Sequence, residues 1–222
     1  MLFSGTFLFA LAASAAAFPS FELSNKRSPQ FWGGAGSGSN TANDVTNKAA
    51  CKAITVIFAR GTGESGNIGS VIGPPLLKAL QSKVGAGKVA YQGVPYAASA
   101  AGNAQQGGNG GALMTSLVQQ ALQQCPDTKI VLSGYSQGGL VVHKSASSLA
   151  ATPPAAAVIF GDPQNGQPVA NVPAAKLKEY CAQGDGVCGT PRTFQITAAH
   201  LSYGNNAADA ANFISTATGV TA

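Results

Sequence analysis

The sequence predicts an α/β fold, a three-layer sandwich in which helices cover both faces of a small, mostly parallel sheet. Three observations carry that prediction. Ala53-Ile54-Thr55-Val56-Ile57-Phe58 and the run from Ala155 to Phe160 are continuous apolar stretches, the pattern of parallel strands covered on both faces. Segments with apolar residues at helical spacing lie between such runs, so strand and helix signals alternate. Gly134-Tyr135-Ser136-Gln137-Gly138 joins a short apolar run to a helical one, the setting in which a G-x-S-x-G turn presents its serine at a sheet edge.

At the amino terminus, the apolar stretch from Leu2 to Leu11 finishes in Ala15-Ala16-Ala17, so residues 1–17 read as a secretory signal. The stretch is shorter than the ~20 residues of a membrane-spanning helix, and no later segment qualifies as a span. Lys26-Arg27 is a dibasic pair that marks residues 18–27 as a candidate propeptide. Residues 28–48 are rich in Gly, Ser, Asn and Thr and are expected to form a flexible tail, because they have little apolar surface to bury. One compact domain is expected over 49–222, consistent with a chain of 222 residues.

Within that domain, Ala53–Phe58 is the first strand, followed by a Gly-rich loop through Arg60-Gly61-Thr62-Gly63. Pro74 and Pro75 open a helix bearing Leu76, Leu77 and Leu80, since proline is suited to a first turn where its missing N–H costs nothing. Lys88 to Val94 is the second strand, and Leu113, Leu117, Val118, Ala121 and Leu122 mark a helix ending near Cys125. Ile130 to Leu132 is the strand before Ser136, and the helix after it runs through Leu140 and past His143. Ala155–Phe160 and Arg192–Thr197 are the last predicted strands, and Ala207, Ala211 and Ile214 lie at the spacing of a final helix.

The formal net charge is +5, yet only 9% of residues are charged and the basic ones are scattered. Nucleic acid is therefore not an expected partner, whereas adhesion to a hydrophobic solid suits so apolar a chain. Cys51, Cys125, Cys181 and Cys188 form an even set in a chain read as secreted, so two disulfides are expected. The short separation of Cys181 and Cys188 favours a local bridge, leaving Cys51 with Cys125. No metal site is expected, because there is no C-x-x-C pair and only two histidines are present.

A serine hydroxyl is a weak nucleophile and needs a base within hydrogen-bond reach. His143 lies about two turns, ~10 Å, farther along the helix that follows Ser136, which leaves His200 as the base. A carboxylate must hold the imidazole in one tautomer. Asp185, inside the loop between Cys181 and Cys188, is favoured, and Asp162, at the end of a strand, is the other candidate. The backbone N–H of Gln137 is expected to be one oxyanion donor, and Thr62, in the loop after the first strand, to supply a second.

Phe58-Ala59-Arg60-Gly61-Thr62, the pentapeptide around Ser136, the segment from Cys181 to Cys188 and His200-Leu201-Ser202-Tyr203 together resemble the fungal cutinase family over about residues 51–219. The resemblance implies a small α/β-hydrolase with a five-stranded parallel sheet and no large lid. It implies a serine esterase acting on cutin and other insoluble or short-chain esters, with Ser136, Asp185 and His200 as its triad and Thr62 with Gln137 as its oxyanion hole. It also implies the pairings Cys51 with Cys125 and Cys181 with Cys188. The family commonly places Ser then Thr after its Arg-Gly, whereas this chain has Thr62 then Gly63. Acetylxylan esterases share the layout, and apolar Val71, Ile72, Leu201 and Phe213 tilt the expectation towards longer acyl chains. A non-catalytic wall-binding protein is the remaining alternative. The expected protein is a monomer that works without a cofactor.

Overall fold

The computed structural model of the chain describes Met1 and residues 39–222. The signal expected over 1–17, the propeptide over 18–27 and the first part of the tail lie outside the described residues. The elements run β1 (Ile54–Ala59), α1 (Gly73–Val84), β2 (Val89–Gly93), α2 (Ala100–Ala104), α3 (Gly110–Gln124), β3 (Lys129–Tyr135), α4 (Gln137–Ser147), β4 (Ala156–Phe160), β5 (Leu177–Tyr180) and α5 (Ala207–Thr218). The five strands form one sheet in the order β2-β1-β3-β4-β5, and every pairing is parallel.

Each central strand is apolar on both faces because each face meets helices. Ile54, Val56 and Phe58 of β1 join the cluster covered by α1 and α5, while Ile57 and Ala59 face the cluster covered by α3 and α4. That division follows from the two-residue repeat of a strand. Pro74 begins α1 in its first turn, and Leu76, Leu77, Leu80 and Val84 bury one face before Gly85 ends the helix at φ 93°. Cys51–Cys125 ties the approach to β1 to the end of α3 across 74 residues.

Two expectations are corrected here. Arg192–Thr197 is not a strand. Its alternation is real, but Phe194 and Ile196 remain 67% and 61% exposed, and Phe194 sits at φ 57°, outside the extended region. The fifth strand is instead Leu177–Tyr180, a four-residue edge strand paired only to β4 and mostly half-buried. Its Leu-Lys-Glu-Tyr sequence has no apolar run to announce it.

Residues 42–46, expected to belong to the flexible tail, are instead held against the domain. Ala42 and Val45 are buried, and Asn43 forms an antiparallel bridge to Gln92 of β2. Side chains of polar residues do the anchoring. Asn67 Oδ1 accepts from the Ala42 N–H at 2.9 Å, and Asp44 Oδ2 accepts from the Tyr91 N–H at 2.9 Å. Composition underestimates such a segment because backbone pairing needs no apolar side chain.

Candidate active site

Strand β3 ends at Tyr135 and α4 starts at Gln137, so Ser136 alone makes the turn. Its φ of 54° and ψ of −120° are strained for a residue with a side chain, a cost of roughly 1–3 kcal/mol that surrounding contacts must hold in place. The Ser136 N–H donates to Phe160 O at 2.9 Å, and its carbonyl accepts from the Gly139 N–H at 2.8 Å. Glycine is required on both sides. A Cβ on Gly134 would lie 2.3 Å from Gly138 O, and one on Gly138 would lie 2.0 Å from Ala59 O.

His200, carried by the loop before α5, reaches the elbow with its Nε2 3.0 Å from Ser136 Oγ. Its Nδ1 lies 2.8 Å from Asp185 Oδ2. His200 and Asp185 are 1% and 2% exposed and Ser136 is 8% exposed, so the chain of bonds opens to solvent at its serine end. The imidazole packs against Tyr135, with ring centroids 5.0 Å apart, and the Tyr135 O–H donates to the His200 carbonyl at 2.9 Å.

The loop that carries Asp185 is closed by Cys181–Cys188. Asp185 Oδ1 accepts from the Val187 N–H at 2.7 Å, and Oδ2 accepts from the Tyr203 O–H as well as facing His200. Burial works to raise this carboxyl, but the hydrogen bonds from Tyr203, His200 and Val187 outweigh it and hold its pKa below the ordinary value. Burial, and then the hydrogen bond to Asp185, push the Tyr203 hydroxyl upward. Tyr203 therefore stays a donor throughout the neutral range.

Asp162, the other carboxylate considered, is 1% exposed but does not meet His200. Its Oδ2 lies 2.8 Å from His143 Nε2, and its Oδ1 accepts from the Gln164 N–H at 2.9 Å.

Thr62 and Gln137 meet above the elbow. Gln137 Nε2 donates to Thr62 Oγ1 at 3.1 Å, and Asn103 Nδ2 donates to the same oxygen at 3.2 Å. Two donors on one hydroxyl oxygen leave its hydrogen pointing elsewhere, with only a 3.5 Å contact to Asn103 Oδ1 inside the protein. Gln137 is the first residue of α4, so its N–H has no intrahelical acceptor. Glu64 shapes the loop beneath: its carboxylate accepts from the N–H groups of Gly61, Ser70 and Val71.

Ser136 and His200 open into a cavity of about 730 Å³ whose walls include Val71, Leu140, Val187 and Leu201. Phe194 and Ile196 stand on its rim. Ile72 and Phe213, named with Val71 and Leu201 as apolar candidates, belong elsewhere: Ile72 is fully buried in the core and Phe213 packs against it.

Sequence reasoning gave no role to Tyr203, Tyr135, Asn103 or Glu64. Tyr203 stands three residues after His200 within a segment already singled out, the one signal by which it was findable. Asn103 and Glu64 make contacts that no spacing rule announces.

The family model described as Cutinase matches residues 50–218. The chain belongs to the cutinase family. Cutinases are carboxylic-ester hydrolases, and this chain is an enzyme of that kind. It is 53% identical over 183 residues to the protein named cutinase 4 of Emericella nidulans, covering 82% of this chain and 79% of that one. It is similar to Trichoderma reesei cutinase, solved with a phosphonate inhibitor, at 42% identity and a TM-score of 0.74, over 81% of this chain and 80% of that one. An acetylxylan esterase structure matches at 25% identity and a TM-score of 0.59, over 76% of this chain and all of its own. The match to cutinases is the stronger in both sequence and structure.

Proposed function

We propose that the protein is a secreted serine esterase that hydrolyses the ester bonds of cutin or related polyesters, and short-to-medium-chain acyl esters, through an acyl-enzyme. The observation that supports this most is the hydrogen-bonded run Ser136 Oγ, His200 Nε2, His200 Nδ1, Asp185 Oδ2, opening into a cavity with apolar walls.

His200 Nε2 takes the proton of Ser136 as Oγ attacks the ester carbonyl carbon. The carbonyl oxygen becomes an oxyanion and is met by the Gln137 N–H and by the Thr62 N–H and O–H, donors held before substrate arrives. Asp185 stabilises the imidazolium and keeps its ring oriented. Collapse of the tetrahedral intermediate breaks the bond to the alcohol oxygen, which receives the proton from His200 Nε2. Water then enters, gives its proton to His200, and attacks the acyl carbon. The acid leaves and Ser136 Oγ regains its hydrogen. No step calls for a cofactor.

The apolar walls favour an acyl chain over a bare acetyl group, and the exposed Phe194, Ile196 and Leu201 give an insoluble substrate an apolar rim to rest on. The test is turnover of p-nitrophenyl esters from acetate to palmitate, with cutin and acetylated xylan in parallel. Wild-type protein should peak at butyrate or longer and release hydroxy fatty acids from cutin. Ser136→Ala should lose at least about 10³-fold in kcat. Activity confined to acetate and acetylated xylan would assign an acetylxylan esterase. Binding to cutin with no turnover of any ester would assign a wall-binding protein.

A further inference from the structure

Apart from the run of Ser136, His200 and Asp185, the fold gathers a second group of ionisable side chains that the ester chemistry does not use. His143 comes from α4, Asp162 from the end of β4, and Glu179 from β5. One donor atom from each lies within 4.8 Å of the other two. Asp162 is 1% exposed and the His143 side chain 10% exposed.

The balance of the group is incomplete. Among the described residues Glu179 Oε1 is shut off from solvent and has no hydrogen-bond partner, while Oε2 accepts only the Gly166 N–H at 3.2 Å. Among the described residues neither Asp162 nor Glu179 forms an ion pair with a lysine or arginine. Two carboxylates thus share one imidazole, which carries a charge only when protonated. A carboxylate oxygen that is buried and unpartnered is costly. A divalent ion held by both carboxylates and a neutral imidazole would remove that cost and leave the group without net charge.

We propose that His143, Asp162 and Glu179 form a divalent-cation site of the zinc class. Mixed imidazole and carboxylate donors suit zinc better than calcium, which takes oxygen ligands alone. Zinc bonds to such donors are about 2.0–2.2 Å long, so tetrahedral donors stand roughly 3.4 Å apart. Rotation of Glu179, on a short edge strand, closes the remaining distance. Asp162 is already fixed by the Gln164 N–H and lies against Gly139, where a Cβ would stand 2.5 Å from its Oδ1. The ion would tie α4, at His143, to the ends of β4 and β5 and touch neither Ser136 nor His200.

The experiment is titration of the metal-stripped protein with zinc chloride by calorimetry, with thermal melts alongside. One zinc per chain is expected, with a raised Tm, and binding at least tenfold weaker in both His143→Ala and Glu179→Gln. Glu179→Gln removes a carboxylate that has one bond and replaces it with an amide able to donate to Asp162, so this variant tests the site even if His143→Ala fails to fold. Absence of saturable zinc uptake overturns the proposal. So does uptake undiminished in Glu179→Gln, which would show that Glu179 is not a ligand and that the three residues do not form the site together. The readout is binding and melting, so it stands apart from whether the protein cleaves esters.

Discussion

Two histidine–aspartate pairs flank the serine elbow, and both are 2.8 Å long. His200 uses Nδ1 for Asp185, which frees Nε2 to face Ser136. His143 spends Nε2 on Asp162 and, among the described residues, has no hydroxyl partner of that kind. On the proposed mechanism, a buried His–Asp contact is not in itself a catalytic one. What separates the pairs is which nitrogen the carboxylate takes and what the other nitrogen then meets. The carboxylates differ too: Asp185 sits on a loop closed by a disulfide and receives three donors, whereas Asp162 caps a strand end.

The sharpest way to break this contrast is to neutralise each carboxylate in turn. Asp185→Asn should lower kcat by about 10³–10⁴-fold by presenting the wrong tautomer to Ser136. Asp162→Asn should lower it less than about tenfold. Equal losses on a soluble ester would erase the distinction drawn between the pairs.

A smaller effect is expected from the two disulfides. Replacing Cys51 and Cys125 by Ala opens a bridge spanning 74 residues and should cost about 4 kcal/mol by loop entropy. Its kcat should be kept at temperatures where the fold survives. Replacing Cys181 and Cys188, only 7 residues apart, should cost less stability, about 2–3 kcal/mol, yet lower kcat at least tenfold through the freed Asp185 loop. Denaturant midpoints measured beside kcat check this, and unchanged turnover without the short bridge would mean that the loop holds Asp185 unaided.

The smallest effect concerns Tyr203. Asp185 has a folded pKa below its unfolded value, so its hydrogen bonds stabilise the fold above about pH 4 and that contribution is lost as pH falls through the folded pKa. Tyr203→Phe removes one donor and lets the folded pKa rise towards the unfolded one. Melts taken from about pH 3 to 7 should show a lower neutral Tm, by a few degrees, and a shallower decline on the acid side. A profile parallel to wild type would mean that the Tyr203 hydroxyl does not act on Asp185.

Much of the fold was legible because the central strands are buried on both faces and so must be apolar throughout, as Ala156 to Phe160 are. The edge strand was not. Leu177–Tyr180 is mostly half-buried at the sheet's end, and Lys178 and Glu179 break any apolar run. Thr193-Phe194-Gln195-Ile196 misled for the opposite reason, since its alternating apolar residues serve a cleft rim and not a core. At the site, Ser136 was legible from its glycines, which the close approach of Ala59 and Gly138 requires. The neighbours that hold its partners, such as Glu64 and Asn103, were not, because a polar residue reads the same in sequence whether it faces water or, like Glu64, three backbone N–H groups.

The segment ahead of β1 has a further meaning. A sheet open at both ends offers unpaired backbone to any other extended chain, and this one protects its two ends differently. At β5 the strand is four residues long and carries two charges, one of them Lys178 beside Asp209. At β2 the chain lays its own residues 42–46 alongside, taking up Tyr91, Gln92 and Gly93. One end is thus made unattractive and the other already occupied, so neither end of the sheet invites edge-to-edge pairing with a second copy of this weakly charged chain.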